Sequence, residues 1–294
     1  MRNTERLENR MSAQPKNFQH LSTIRGASSE ITAIRWVENG LFFLLRDGRA
    51  YVAPLSDEDS APLLRVSSDY ISHAAWSSEG IFLATASRMC VEIYDVLSKE
   101  SVLVLPIRGI RMPSRVAWSL FDRYLAVAAW SIRVFDTANG EEVVSFPSHV
   151  AGICDMVWSP DARYIATADG WGFVRLSDLH TGNVEELTNI KSNGWRKLAW
   201  SPCGQFLMMD SANDGGEGGM EVFDLSRRLI VARLPHRGVR FCCFQTLGIH
   251  PPPDGEGVFL TKCGKEIRLW RTRDWELIAK VAAEGSNYIW VLCS

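Results

Sequence analysis

An all-β fold built from repeated four-stranded units is predicted by three features of the sequence. A tryptophan closes a short apolar run at Trp36, Trp76, Trp118, Trp158 and Trp200, and Phe244 and Trp290 continue the series. The intervals are 40, 42, 40, 42, 44 and 46 residues, a period that fits one four-stranded propeller blade and exceeds most helical-hairpin repeats. Between these positions the chain reads as short alternating segments broken by turn residues, the pattern of strands in an all-β domain.

One unit, residues 156–187, shows the order of elements. Met156 to Trp158 ends an inner strand. Ser159-Pro160-Asp161 is a turn, because proline fixes φ and aspartate bonds back to the backbone. Tyr164 to Ala168 is a second strand, Asp169-Gly170 a turn, and Phe173 to Leu176 a third strand. Asp178 to Gly182 is a hairpin, and Asn183 to Leu187 starts the outer strand. The same plan recurs over 31–67, 74–96, 116–143, 198–225 and 257–278. Six blades are therefore expected. The segments 17–25 (NFQHLSTIR) and 287–293 (NYIWVLC) supply an outer and an inner strand of a partial seventh. Residues 1–16 are polar without a period and are expected to form a disordered tail, leaving 17–294 as one propeller domain. Three closures stand as alternatives: a shortened seven-bladed protein, an irregular six-bladed ring, or a seventh blade completed by a strand from a partner.

These units resemble the WD-repeat (WD40) β-propeller family. The resemblance is carried by the Trp-Ser-Pro turns at 158–160 and 200–202, and by the aromatic-Asp pairs Tyr94-Asp95, Phe135-Asp136 and Phe223-Asp224. It implies a protein-binding fold. The family often ties each blade with a buried His, Ser or Thr, Trp and Asp network. Counting back from the end of the third strand, the Asp position here holds Arg88, Ala129, Trp171, Glu217 and Gly264. His149 and His236 fall where the family's histidine stands. The expectation is that they lack an acidic partner and that apolar packing carries the blades.

Composition narrows the function. Of 294 residues, 46% are hydrophobic and 22% charged, and the net charge is −2. No global positive field draws the chain to nucleic acid or anionic membrane. No run of apolar residues is long enough to span a bilayer, and the first residues lack the apolar stretch of a secretory signal. Seven cysteines with irregular spacing and no Cys-x-x-Cys signal neither zinc nor a redox pair. A reducing compartment follows, the cytoplasm first and the nucleus as the alternative.

The six scattered histidines form no metal-binding motif, and no nucleophile elbow occurs. The glycine-rich stretch Asp214 to Gly219 lies between two strands, whereas a phosphate cradle leads into a helix. No cofactor or metal is expected. The leading reading is a non-enzymatic scaffold or adaptor that binds a protein or peptide, as a subunit of a larger complex. A metal-dependent hydrolase or lactonase on the same fold is the alternative. In the family's topology the loops between blades and the loops joining second to third strands share the top face. Arg88, Arg111, Met112, Trp130, Trp171 and Trp195 map there, and aromatic, Met and Arg side chains are the types that dominate binding hot spots. Two inter-blade loops are basic: one carries Arg108, Arg111 and Arg115, the other Arg237 and Arg240.

Overall fold

The structure is a computed structural model. It describes residues 29, 31–37, 40–53, 62–65, 70–88, 90–105, 107, 113–147, 149, 151–188, 197–210, 219–235, 241–245, 258–263 and 266–282. The tail 1–16, the two segments assigned to a seventh blade, and residues 214–218 of the glycine-rich stretch lie outside these residues, as does the side chain of Trp36.

Among the described residues the repeat becomes six four-stranded antiparallel sheets, each hydrogen-bonded in chain order. Blade 1 takes Ile31–Val37, Gly40–Leu45, Arg49–Ala53 and Pro62–Arg65. Blade 2 takes Ile71–Trp76, Phe82–Ser87, Val91–Asp95 and Glu100–Leu105. Blade 3 takes Arg115–Trp118, Tyr124–Ala128, Ile132–Asp136 and Glu142–Phe146. Blade 4 takes Ile153–Trp158, Tyr164–Asp169, Val174–Asp178 and Val184–Thr188. Blade 5 takes Leu198–Trp200, Phe206–Asp210, Met220–Asp224 and Leu229–Leu234. Blade 6 takes Phe241–Gln245, Val258–Cys263, Glu266–Arg271 and Leu277–Ala282. The first strand of each blade lies beside the first strand of the next, from blade 1 to blade 6.

The turns follow from the residues that repeat. After the inner-strand tryptophan, the hydroxyls of Ser77, Ser119, Ser159 and Ser201 accept the N–H of Phe82, Tyr124, Tyr164 and Phe206 at 2.8–3.0 Å. The fourth position of that turn is left-handed, at Gly80, Asp122, Ala162 and Gly204. At the other turn, Oδ1 of Asp95, Asp136, Asp178 and Asp224 accepts the N–H two residues on, shaping the hairpin into the outer strand. This gives the aromatic-Asp pairs a local cause.

The core lies between blades. Side chains alternate across a strand, and the second strands are buried on both faces. Leu125 and Val127 pack on blade 2, while Ala126 and Ala128 pack on blade 4. Blades 2, 3 and 4 each turn alanines toward the following blade: Ala84 and Ala86, Ala126 and Ala128, Ala166 and Ala168. Into those spaces come Trp118, Trp158 and Trp200. Trp118 Nε1–H donates to the Ala75 carbonyl and Trp158 Nε1–H to the Ala117 carbonyl, both at 2.9 Å. Their rings stack on Phe82 and Tyr124 of the preceding blade, with centroids 6.4 Å apart in each case. Trp76 meets Phe42 edge-on at 4.7 Å. The tryptophan period is therefore the period of blade contact.

Replacing Trp158 by Ala empties this contact and should cost about 3–5 kcal/mol. Trp158→Phe keeps an aromatic ring but leaves the Ala117 carbonyl without its donor, for about 1–3 kcal/mol. Urea denaturation of the two variants measures both.

Candidate functional site

The turns joining second to third strands stand at the same end of successive sheets. In blade 2 this turn is Ser87 to Cys90, closed by Ser87 N–H on the Cys90 carbonyl at 2.9 Å, and Arg88 is exposed on it. In blade 3 it is Ala129 to Ser131, and Trp130 is 57% exposed. In blade 4 it is Gly170 to Phe173, and Trp171 is 55% exposed. Structure thus brings Arg88, Trp130 and Trp171 to one face of three consecutive blades. Arg111, Met112 and Trp195 lie outside the described residues, as do Arg108, Arg237 and Arg240.

A buried polar network lies beneath the two tryptophans. His149 follows the outer strand of blade 3, and its backbone N–H donates to the Trp130 carbonyl at 2.7 Å. Its ring is buried, with Nε2 2.8 Å from Thr167 Oγ1 and Nδ1 3.3 Å from Asp169 Oδ2. Asp169 Oδ1 accepts the N–H of Trp171 and of Phe173, each at 3.0 Å. Burial and the nearby Arg175 cation lower the His149 pKa, outweighing the Asp169 carboxylate, which raises it. The ring is neutral at pH 7. It donates from Nδ1 to Asp169 and accepts the Thr167 hydroxyl at Nε2, so all three side chains are satisfied. Gly172 in this turn has φ +90°, a conformation that glycine adopts without strain.

This corrects the expectation that His149 lacks an acidic partner. The partner is Asp169, two residues before Trp171. Counting back from the end of the third strand misplaces it, because the turn of blade 4 is longer than that of blade 3. Counting forward from the second strand finds it, with Thr167 two residues earlier. A second fragment stands in blade 6, where Trp270 Nε1–H donates to Thr261 Oγ1 at 2.9 Å. His236 lies outside the described residues.

A second polar set occupies the position three residues before each tryptophan: His73, Arg115, Asp155 and Lys197 in blades 2 to 5. His73 Nδ1 accepts the Val116 N–H at 3.3 Å, and Asp155 Oδ2 accepts the Leu198 N–H at 3.0 Å. Each is a side chain of one blade satisfying the inner strand of the next. Lys197 Nζ is 3.9 Å from Asp155 Oδ1. Burial, with the Arg115 and Lys197 cations, pushes His73 down to about 3. Sequence reasoning missed this set, although aligning the repeats on tryptophan would have exposed it. Among the described residues, no three His, Cys, Asp or Glu side chains stand together as a metal site.

Both histidines have folded pKa values below the ordinary 6.5. The unfolded chain binds more protons as pH falls through 6.5, so this stability is fully present above that value and is lost on acidification. The urea midpoint should fall between about pH 7 and pH 5, and His73→Gln should lessen the fall. His149→Ala should cost about 1–3 kcal/mol at pH 7 by leaving Thr167 and Asp169 short of a partner.

Parts of the chain resemble known sequences. The family model described as "WD domain, G-beta repeat" matches residues 140–178, which run from the outer strand of blade 3 to the end of the third strand of blade 4. The "Anaphase-promoting complex subunit cdc20" of Dictyostelium discoideum is 23% identical over 141 residues, 46% of this chain and 28% of that protein. The tryptophan-spaced sheets, the matched repeat over the His149–Asp169 network and this similarity together support the chain's resemblance to the WD-repeat family.

Proposed function

We propose that this chain is a non-enzymatic scaffold that holds a protein or peptide partner on the face bearing Arg88, Trp130 and Trp171. The observation that carries this is the presentation of two exposed tryptophans on turns fixed by the buried His149–Asp169 pair. An exposed tryptophan offers a large apolar surface with an N–H donor and commonly anchors an interface, at 2 kcal/mol or more when truncated. A turn already fixed before binding spares the ordering cost of the interface. Exposed Arg88, on the neighbouring turn, suits a carboxylate on the partner. Arg111, Met112 and Trp195, outside the described residues, are included in the proposed face on their positions in the repeat alone.

Similarity to a protein named as a subunit of the anaphase-promoting complex supports the reading of this chain as part of a larger assembly. A reducing compartment, the cytoplasm or the nucleus, belongs to this proposal on the irregular spacing of the seven cysteines.

The test is affinity capture from the source with the parent chain and with Trp130→Ala/Trp171→Ala. Both side chains are exposed, so the double variant should unfold at nearly the parent midpoint. It should lose partner binding at least tenfold. Capture at parental strength by the folded double variant would remove the face from consideration.

A further inference from the structure

Each outer strand leaves one backbone edge unpaired among the described residues. Such edges are guarded in folded proteins by charge, proline or a bulge. Every outer strand here has a bulge against its third strand. Four of the six also place a proline or a charged residue opposite the second or third residue of the third strand: Pro62 opposite Tyr51, Glu186 opposite Arg175, Arg233 opposite Glu221, and Lys280 opposite Arg268; blade 3 has Ser145 opposite Arg133 but pairs that arginine with Glu142 of its outer strand. Two of these form cross-strand ion pairs, Arg175 with Glu186 and Arg233 with Glu221.

Blade 2 is the exception. Val104 stands opposite Glu92 and is 56% exposed, with Val102 at 51%. From Ser101 to Leu105 this edge carries no charge. Glu92, without an outer-strand cation, turns along its own strand to the Tyr94 hydroxyl.

We infer that the free edge of blade 2, Ser101 to Leu105, pairs antiparallel with the same edge of a second copy of this chain. The commitment to a second copy rests on charge. The other outer strands of this chain would set a proline or a charged residue near the valines, while blade 2 meets itself with a neutral surface. Antiparallel pairing about Leu103 places Val102 opposite Val104 of the other copy on both sides of the twofold. Parallel pairing would instead set Glu100 beside Glu100, and like charges directly opposite are destabilising. A twofold contact uses one patch on both copies and closes at two. Five residues a side bury less than the roughly 1,200–2,000 Å² of a stable interface, so the dimer is weak and dissociates on dilution.

Sedimentation equilibrium of the full chain over a concentration series tests this. The dimer fraction should rise with concentration. Val104→Lys restores the residue that blade 6 carries at this place, and should weaken association at least tenfold with an unchanged urea midpoint. Val104→Ile should retain association. A chain that stays monomeric throughout, or a dimer indifferent to Val104→Lys, overturns the inference. So does a monomer whose 101–105 amides gain exchange protection only from an added foreign strand peptide.

Discussion

The contact on which the structure depends is the inner-strand tryptophan of one blade seated on the alanines of the blade before it. A four-stranded sheet with both faces apolar has no stable existence alone, because each face must be buried against another layer. Trp118, Trp158 and Trp200 fill the wedge of space above Ala84 and Ala86, Ala126 and Ala128, and Ala166 and Ala168. Indole also carries a donor, and Trp118 and Trp158 spend it on a carbonyl of the neighbouring inner strand. One residue thereby sets both spacing and alignment between sheets. A larger side chain at the alanines, or a smaller one at the tryptophan, would disturb packing on two blades at once.

Polar groups complete what packing begins. Inner strands are sheet edges, and a buried edge must find partners for its N–H and C=O groups. His73 and Asp155 accept N–H groups of the next blade, while the Ser72 and Ser114 hydroxyls donate to the Pro113 and Ile153 carbonyls. Under the tryptophan turns, His149 performs the same task between blades 3 and 4. Its ring satisfies Thr167 and Asp169, and its backbone holds the Trp130 carbonyl. Rigidity at the candidate binding face thus derives from the interior.

Different parts of a blade carry different burdens. Second strands are apolar because they are covered on both sides, and they contribute little to recognition. Turns between second and third strands are free to vary, and there the chain places arginine in one blade and tryptophan in two others. Outer strands face solvent with an open edge, so their residues record how each blade avoids or accepts a neighbour.

Sequence by itself determined the blade count over the described residues, the order of strands and the burial of the tryptophans, because period and alternation are local signals that burial imposes on every unit. The places of Arg88, Trp130 and Trp171 on turns between second and third strands were legible for the same reason, since a turn's place in the repeat fixes its end of the sheet. The His149–Asp169–Thr167 network was misread. Its members lie 18 and 20 residues apart and meet only when blade 4 closes against the linker, and one turn of unequal length was enough to hide the aspartate. Cross-strand facts were equally invisible: that Val104 opposes Glu92, or that His73 lies under two cations, follows from register and from packing between blades. Those are settled by tertiary structure, because a strand's sequence states what its side chains are but not which strand, in what register, they will meet.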